Sequence, residues 1–151
     1  MAETHVVELR IPATAEYVRV VRLAVTGVAS RLAFSVDDIE DIKLAVTEAC
    51  NNAILHAAPP QAGPSQLPLV VVQFSPRADG LEISVSDEGR VAPPGLPDVA
   101  NRDLSGEAST DLPESGWGLL LIQTLMDEVE HHTGAASDTT VRMVKYVRAR
   151  P

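Results

Sequence analysis

The chain of 151 residues carries a formal net charge of −9, and its 12 lysines and arginines form no basic run, which argues against binding to a phosphate backbone. Its composition, 45% hydrophobic but only 3% aromatic, predicts one globular domain over residues 1–151 with an aliphatic core. A single cysteine, no apolar run of membrane-spanning length and no signal-peptide pattern predict a cytoplasmic protein without an internal disulfide. A P-loop is excluded, because neither Lys43 nor Lys145 follows the required glycines.

The chain begins with a predicted strand and helix. The strand covers Val6–Ile11 and ends at Pro12. Thr14 is expected to cap a helix that reaches about Leu32. Most of the apolar positions of this helix are expected to come from Val18, Val21, Leu23, Val25 and Val28.

A long helix is predicted over Asp37–His56, with Asp37 or Asp38 as its cap. Residues at helical spacing form its core-facing stripe: Ile42, Val46, Ala49 and Ala53. Glu48 and Asn52, four residues apart, stack on one side of that stripe. Because a carboxylate and an amide next to a core need polar partners, we expect a polar ligand at this edge of the helix.

The remainder of the chain predicts two hairpins separated by a long connection and a helix. The predicted elements are strands Pro68–Ser75 and Leu81–Asp87, helix Gly116–Met126, and strands Glu128–His132 and Thr139–Arg148. A turn at residues 78–80 joins the first two strands. Residues 88–115 are rich in proline and glycine, and a connection this long is typical of a functional lid. The order predicts a two-layer α+β sandwich, with helices on one face of a largely antiparallel sheet.

Several of these residues have the chemistry of a nucleotide site. Asp87 ends a strand, where its carboxylate can accept a hydrogen bond from an exocyclic amine, and Gly89 leaves room for a flat ring. Gly116 and Gly118 begin a helix, whose free N–H groups can hold phosphate. The amide oxygen of Asn52 is a hard ligand suited to Mg²⁺. Each feature alone is common in turns, loops and solvated helices, but their joint occurrence in this order favours a nucleotide site.

The motifs resemble those of a known family. The segments EACNNAILHA (Glu48–Ala57), DEG (Asp87–Gly89), SGWGLLLIQTLMDEVE (Ser115–Glu130) and TTV (Thr139–Val141) are similar to the N box, the two glycine boxes and the closing strand of the GHKL ATPase superfamily. The resemblance is strongest to its branch of RsbW-type anti-sigma factors and serine-protein kinases. It implies the Bergerat, or histidine kinase-like ATPase, fold, in which an ATP lid closes over a mixed, largely antiparallel sheet.

The resemblance also implies an activity. Glu48 would be the general base that takes the proton of a substrate serine, and Asn52 would coordinate Mg²⁺. The implied substrate is a STAS-type anti-anti-sigma factor. The implied competing partner is an RNA polymerase sigma factor, which a homodimer would sequester in regulating transcription in a stress response.

The ATP-binding residues follow in the same way. Asp87 would bind the adenine amino group, with Thr140 supporting it from the neighbouring strand. Gly89 would make room for the base, and Gly116 and Gly118 would hold the phosphates under the lid. The full implied set is Asn52, Asp87, Gly89, Gly116, Gly118, Leu119 and Thr140.

Three positions depart from the family pattern and keep alternatives open. Val91 replaces the second glycine of the first glycine box, Ala57 follows the histidine where glycine is frequent, and Glu114 stands where a basic residue is frequent. A carboxylate near the γ-phosphate would oppose phosphotransfer by charge repulsion. The alternatives are a non-catalytic ATP-binding module, a module that sequesters its partner without ATP, and a switch kinase of a stress-signalling complex.

Other reactive residues have structural interpretations. His131 and His132 are adjacent in a strand and point to opposite faces, which is unsuitable for a shared metal ion. Cys50 is expected to be a small packed residue. His56 either contacts the site residues from behind or is a core histidine. Trp117 is expected to pack against the lid.

Overall fold

The computed structural model of the protein describes residues 5–56, 68–87, 114–133 and 139–148. The elements, in chain order, are β1 (Val7–Pro12), α1 (Val18–Ala29), α2 (Val36–His56), β2 (Leu69–Arg77), β3 (Gly80–Asp87), α3 (Glu114–Leu125), β4 (Glu128–Thr133) and β5 (Thr139–Tyr146). The predicted order of strands and helices is confirmed. Most of the predicted lid, with Gly89 and Val91, lies outside the described residues, as does Ala57.

The five strands form one sheet in the order β1-β2-β3-β5-β4, and each neighbouring pair is antiparallel. Ala78 and Asp79 make the turn between β2 and β3 where the sequence predicts one, but Gly80, the third residue of the predicted turn, already belongs to β3. The other hydrogen-bonded neighbour of β3 is β5, so the strand that ends in Asp87 is central to the sheet. None of the helices in the described ranges is long and apolar enough to cross a membrane.

The core lies between one face of the sheet and the three helices. Alternate residues of the strands supply the sheet side of this core: Val70, Val72, Phe74, Leu81, Ile83, Val85, Val141 and Met143. The predicted stripe of α2 supplies the helix side, with Ile42, Val46, Ala49 and Ala53 all buried. The opposite face of the sheet carries charged side chains, including an Arg142 guanidinium that donates to both carboxylate oxygens of Glu82, at 2.8 and 3.1 Å. The two-layer α+β prediction is confirmed.

The cap of α2 differs from the prediction. The N–H of Asp38 donates to the hydroxyl of Ser35 at 3.0 Å, and the N–H of Ser35 donates to the carboxylate of Asp38 at 3.2 Å. This reciprocal pair is a capping box, with Ser35 before the helix and Asp38 in its first turn. Neither Asp37 nor Asp38 is therefore the cap.

The first helix also begins later and ends earlier than predicted. A 3-10 turn at Ala15–Tyr17 precedes α1, and the hydroxyl of Thr14 makes no capping bond. Leu23, one of the apolar positions expected in this helix, is 69% exposed and does not face the core. The physical reason is its spacing, because Leu23 lies two residues after buried Val21 and hence about 200° around the helix. Val18, Val21, Val25 and Ala29 form the buried side of α1.

A buried lysine fixes the end of α3. Lys145 lies on the helix-covered face of β5 and is only 6% exposed. Its ammonium donates to the carbonyl oxygen of Leu125, the last residue of α3, at 2.7 Å. The same group lies 3.7 Å from a carboxylate oxygen of Asp41 in α2. One side chain thus joins β5, α2 and α3.

Candidate active site

Two polar side chains on α2 meet a glycine on α3. Glu48 and Asn52 are both partly buried and lie one helical turn apart. A Cβ atom built on Gly118 would stand 3.1 Å from Glu48 Oε2, 3.1 Å from Asn52 Nδ2 and 3.2 Å from Asn52 Oδ1. The polar edge predicted for α2 therefore faces the backbone of α3, at a position where even a methyl group would be tight.

The beginning of α3 provides backbone donors close to this pair. The helix begins at Glu114, so the N–H groups of its first turn, including that of Gly116, have no acceptor within the helix. Gly118 lies one turn after Glu114, so helical geometry directs its N–H to the carbonyl oxygen of Glu114. Leu119 follows Gly118 and is partly buried. The sequence correctly placed both glycines at the start of a helix, but only Gly116 lies among the free donors.

Asp87 is one of two buried charged side chains among the described residues, and it closes β3 on the helix-covered face. The backbone N–H of Thr139 donates to its Oδ1 at 2.8 Å, so the first residue of β5 orients the carboxylate. A carboxylate held this way can accept further hydrogen bonds, as an exocyclic amine requires.

A residue of the neighbouring strand donates a hydrogen bond to Asp87. Thr140 is paired with Ser86. Their neighbours along the strands, Val141 and Val85, are buried and face the helices. Because strand side chains alternate, the side chain of Thr140 lies on the face opposite Asp87. The hydrogen bond to Asp87 comes from Thr139, and the support expected from Thr140 stays a prediction. The alternation Thr139, Val141, Met143 carried this signal in the sequence.

The α2 pair and Asp87 lie toward the same end of the sheet. Asp41, in the second turn of α2, contacts Lys145 near the far end of β5, which pairs with the start of β3. With a rise of 1.5 Å per residue, Asn52 lies about 16 Å further along α2. Since α2 packs against β3, its C-terminal half extends toward the end of that strand, where Asp87 stands. The three predicted groups are thus brought to one end of the fold.

The structure also places His56, His131, His132 and Cys50. His56 is exposed, so it is not a core histidine. His131 pairs with buried Val141 and faces the helices, whereas His132 faces the other way, as predicted. His131 retains access to solvent, but partial burial lowers the pKa of its imidazole, and nearby His56 and His132 lower it further. Burial raises the pKa of the Cys50 thiol to about 12, so this residue is a packed side chain rather than a nucleophile.

Trp117 is 60% exposed on α3, and the lid against which it was expected to pack lies outside the described residues. The side chain of Glu114 falls outside them as well. The predicted packing of Trp117 and the effect of Glu114 on a bound phosphate therefore stay predictions.

The donor set fits a metal–nucleotide ligand. An amide oxygen and a carboxylate side by side are ligands of the kind that Mg²⁺ takes together with phosphates. Free N–H groups at the start of α3 attract anions. Gly118 adds no Cβ between these two sets of groups. The arrangement can therefore hold a charged phosphate chain next to a carboxylate able to accept a proton.

Comparison with known proteins gives the family. Residues 11–145 match the family described as Histidine kinase-like ATPase domain. The chain is 39% identical over 154 aligned positions to the serine-protein kinase RsbW of Bacillus cereus (strain Q1), covering 94% of this chain and 85% of that protein. It is 41% identical over 147 positions to the serine-protein kinase RsbW of Bacillus licheniformis, covering 93% and 85%.

A solved structure gives the same fold. The chain superposes with a TM-score of 0.64 on a crystal structure of the RsbU and RsbW domains of a Mycobacterium tuberculosis protein. The match covers 95% of this chain and 32% of that chain at 22% identity, so it supports the fold alone. The family match and the relatives lead to one conclusion: this chain belongs to the RsbW family of serine-protein kinases, built on the histidine kinase-like ATPase domain.

Proposed function

We propose that the protein is an ATP-dependent serine-protein kinase and anti-sigma factor that phosphorylates a STAS-type anti-anti-sigma factor and sequesters an RNA polymerase sigma factor. The observation that carries this proposal is the convergence of Glu48 and Asn52 on Gly118, within 3.2 Å of a Cβ built there. It supports a site in which a proton acceptor, a metal ligand and a phosphate-binding helix adjoin one another.

In this proposal Glu48 is the general base. Its carboxylate accepts the proton of the substrate serine hydroxyl as the γ-phosphoryl group is transferred. Asn52 lies one turn away and offers an amide oxygen to Mg²⁺, which when bound neutralises charge on the phosphates. Most of the rate then comes from the position and charge of these groups.

ATP binding is proposed to begin at Asp87. The carboxylate, oriented by the N–H of Thr139, accepts a hydrogen bond from the adenine amino group. The N–H groups at the start of α3 hold the phosphates, with Gly116 among them. The remaining proposed ATP-binding residues are Asn52, Gly89, Gly118, Leu119 and Thr140.

The partner proteins follow from the family. The substrate and the sigma factor compete for the protein, which acts as a homodimer and regulates transcription in the cytoplasm. The RsbW relatives support the kinase part of this proposal through their name.

The experiment compares Glu48→Ala with Glu40→Ala, a change on the same helix at an exposed residue that pairs with Lys43. We expect Glu48→Ala to abolish phosphotransfer to the STAS-type protein and to leave ATP binding intact, because the base does not hold the nucleotide. Glu40→Ala should behave as the wild type. Phosphotransfer by Glu48→Ala at the wild-type rate would show that another group is the base.

The wild type and Asn52→Ala distinguish a kinase from a module that only sequesters its partner. We expect Asn52→Ala to lose Mg²⁺-dependent ATP binding and phosphotransfer. If the wild type transfers no phosphate, and its complex with the partner is insensitive to EDTA and to Asn52→Ala, the module without chemistry is the correct alternative.

A further inference from the structure

The close approach of Gly118 to Glu48 and Asn52 restricts which residue can occupy this position in the proposed kinase. Gly118 is buried, and its α-carbon faces Glu48 and Asn52 across the packed interface of α2 and α3. A Cβ at 3.1 Å from a carboxylate oxygen would be closer than ordinary van der Waals contact, and two polar groups would meet it at once. A side chain at this position would therefore displace Glu48, Asn52 or α3 itself.

The position of α3 is constrained from its other end. The ammonium of Lys145 donates to the carbonyl oxygen of Leu125, the last residue of α3, at 2.7 Å. The same ammonium lies 3.7 Å from a carboxylate oxygen of Asp41 in α2. Because the end of α3 is fixed to β5 and to α2, the helix cannot easily move away from a group added at Gly118. The strain of an added methyl group would fall mainly on the side chains of Glu48 and Asn52.

We propose that Gly118 is a positioning residue for the base and the metal ligand. Its lack of a side chain lets α3 close on α2 and holds the Glu48 carboxylate and the Asn52 amide side by side. This inference rests on the proposed kinase function and assigns Gly118 a role within that site.

The variant is Gly118→Ala, and the matched control is Gly27→Ala. Gly27 lies within α1 and a Cβ there would meet nothing within 4 Å, so alanine adds only helix propensity. Two quantities are measured: ADP binding by calorimetry in EDTA, and phosphotransfer from Mg·ATP to a purified STAS-type anti-anti-sigma protein. Thermal melts establish that each variant is folded.

We expect Gly118→Ala to bind ADP in EDTA within about twofold of the wild type, because that binding needs neither the base nor the metal ligand. We expect its kcat to fall about tenfold or more, since displacements well under 1 Å at a reacting group are costly. Gly27→Ala should retain the wild-type kcat. Equal losses in ADP affinity and kcat would overturn the inference in favour of a phosphate-binding role, and an unchanged kcat would overturn it outright.

A double substitution separates positioning from general damage to the helix. Glu48→Asp shortens the carboxylate by one methylene and makes room for the methyl group of alanine. If Gly118 acts through Glu48, Gly118→Ala should lower kcat at least threefold less in the Glu48→Asp background than in the wild type. Fully multiplicative losses would overturn the inference. Absence of phosphotransfer by the wild type would instead refute the proposed function and, with it, any positioning role.

Discussion

Lys145 gives the sharpest prediction about stability, because one buried ammonium joins three elements. Replacing it by methionine keeps the length and apolar character of the chain but removes the donor to the carbonyl of Leu125 and the ion pair with Asp41. The chain contains only two lysines, and the other, Lys43, makes an ion pair with Glu40 at 3.2 Å along the surface of α2. Lys43→Met is therefore the matched control.

The magnitude follows from the two lost interactions. Leaving a partly buried carbonyl without its charged donor costs about 1–3 kcal/mol. The pair with Asp41 contributes less than about 1 kcal/mol, because that carboxylate is 43% exposed and screened by solvent. We expect Lys145→Met to lower the free energy of unfolding by about 2–3 kcal/mol, which for a domain of this size lowers the Tm by roughly 4–12 °C. Lys43→Met should change it by less than about 0.5 kcal/mol.

Urea titrations and thermal melts followed by far-ultraviolet circular dichroism measure both variants. Equal stability of Lys145→Met and the wild type would refute the reasoning, since the carbonyl of Leu125 would then not depend on the lysine. A loss of stability in Lys43→Met as large as that in Lys145→Met would refute it too, because burial would not be what distinguishes the two residues.

Three further predictions concern single residues. With a pKa of about 12, Cys50 should not react with Ellman's reagent at pH 8 in the folded protein and should react fully in urea. Replacing His56 by glutamine should raise the pKa of His131, followed by NMR titration, yet leave it below the usual value because burial is its largest cause. Since that pKa is lower in the folded state, His131 makes the free energy of unfolding fall as the pH drops below about 6.5. Ser35→Ala should destabilise the protein by about 1 kcal/mol through loss of the capping box, whereas Thr14→Val should be neutral or stabilising, because the buried hydroxyl of Thr14 has no partner among the described residues. An equal loss in these last two variants, in chemical denaturation, would contradict the assignment of the cap.

Elements with a strong hydrophobic period could be predicted from the sequence. The apolar stripe of α2 and the alternation of β3 each define one buried face, because shifting either pattern by one residue would expose core side chains. The motif residues Glu48, Asn52 and Asp87 could be found because helical and strand spacing put each at the edge of a buried surface. Their chemistry then pointed to a nucleotide before any contact was known.

Features that depend on a partner across the fold could not be predicted. Ser35, Asp37 and Asp38 are all good caps by residue type, and only the hydrogen bonds between Ser35 and Asp38 show that Ser35 caps α2. The alternation within β5 indicates which face Thr139 shares, but its position beside Asp87 depends on the register of β5 against β3, which that alternation does not fix. The approach of Gly118 to Glu48 depends on how closely two helices pack, and no local pattern in the sequence records that distance.

The most direct test of the nucleotide site is calorimetry of ATP and ADP, with and without Mg²⁺, on the wild type and on Asp87→Asn. An amide keeps the size of the side chain but loses the charge that accepts from Thr139 and, in the proposed site, from adenine. The account predicts saturable ATP binding that Mg²⁺ strengthens in the wild type and that Asp87→Asn abolishes. Absence of binding to the wild type at millimolar ATP, or binding unaffected by Asp87→Asn, would contradict it.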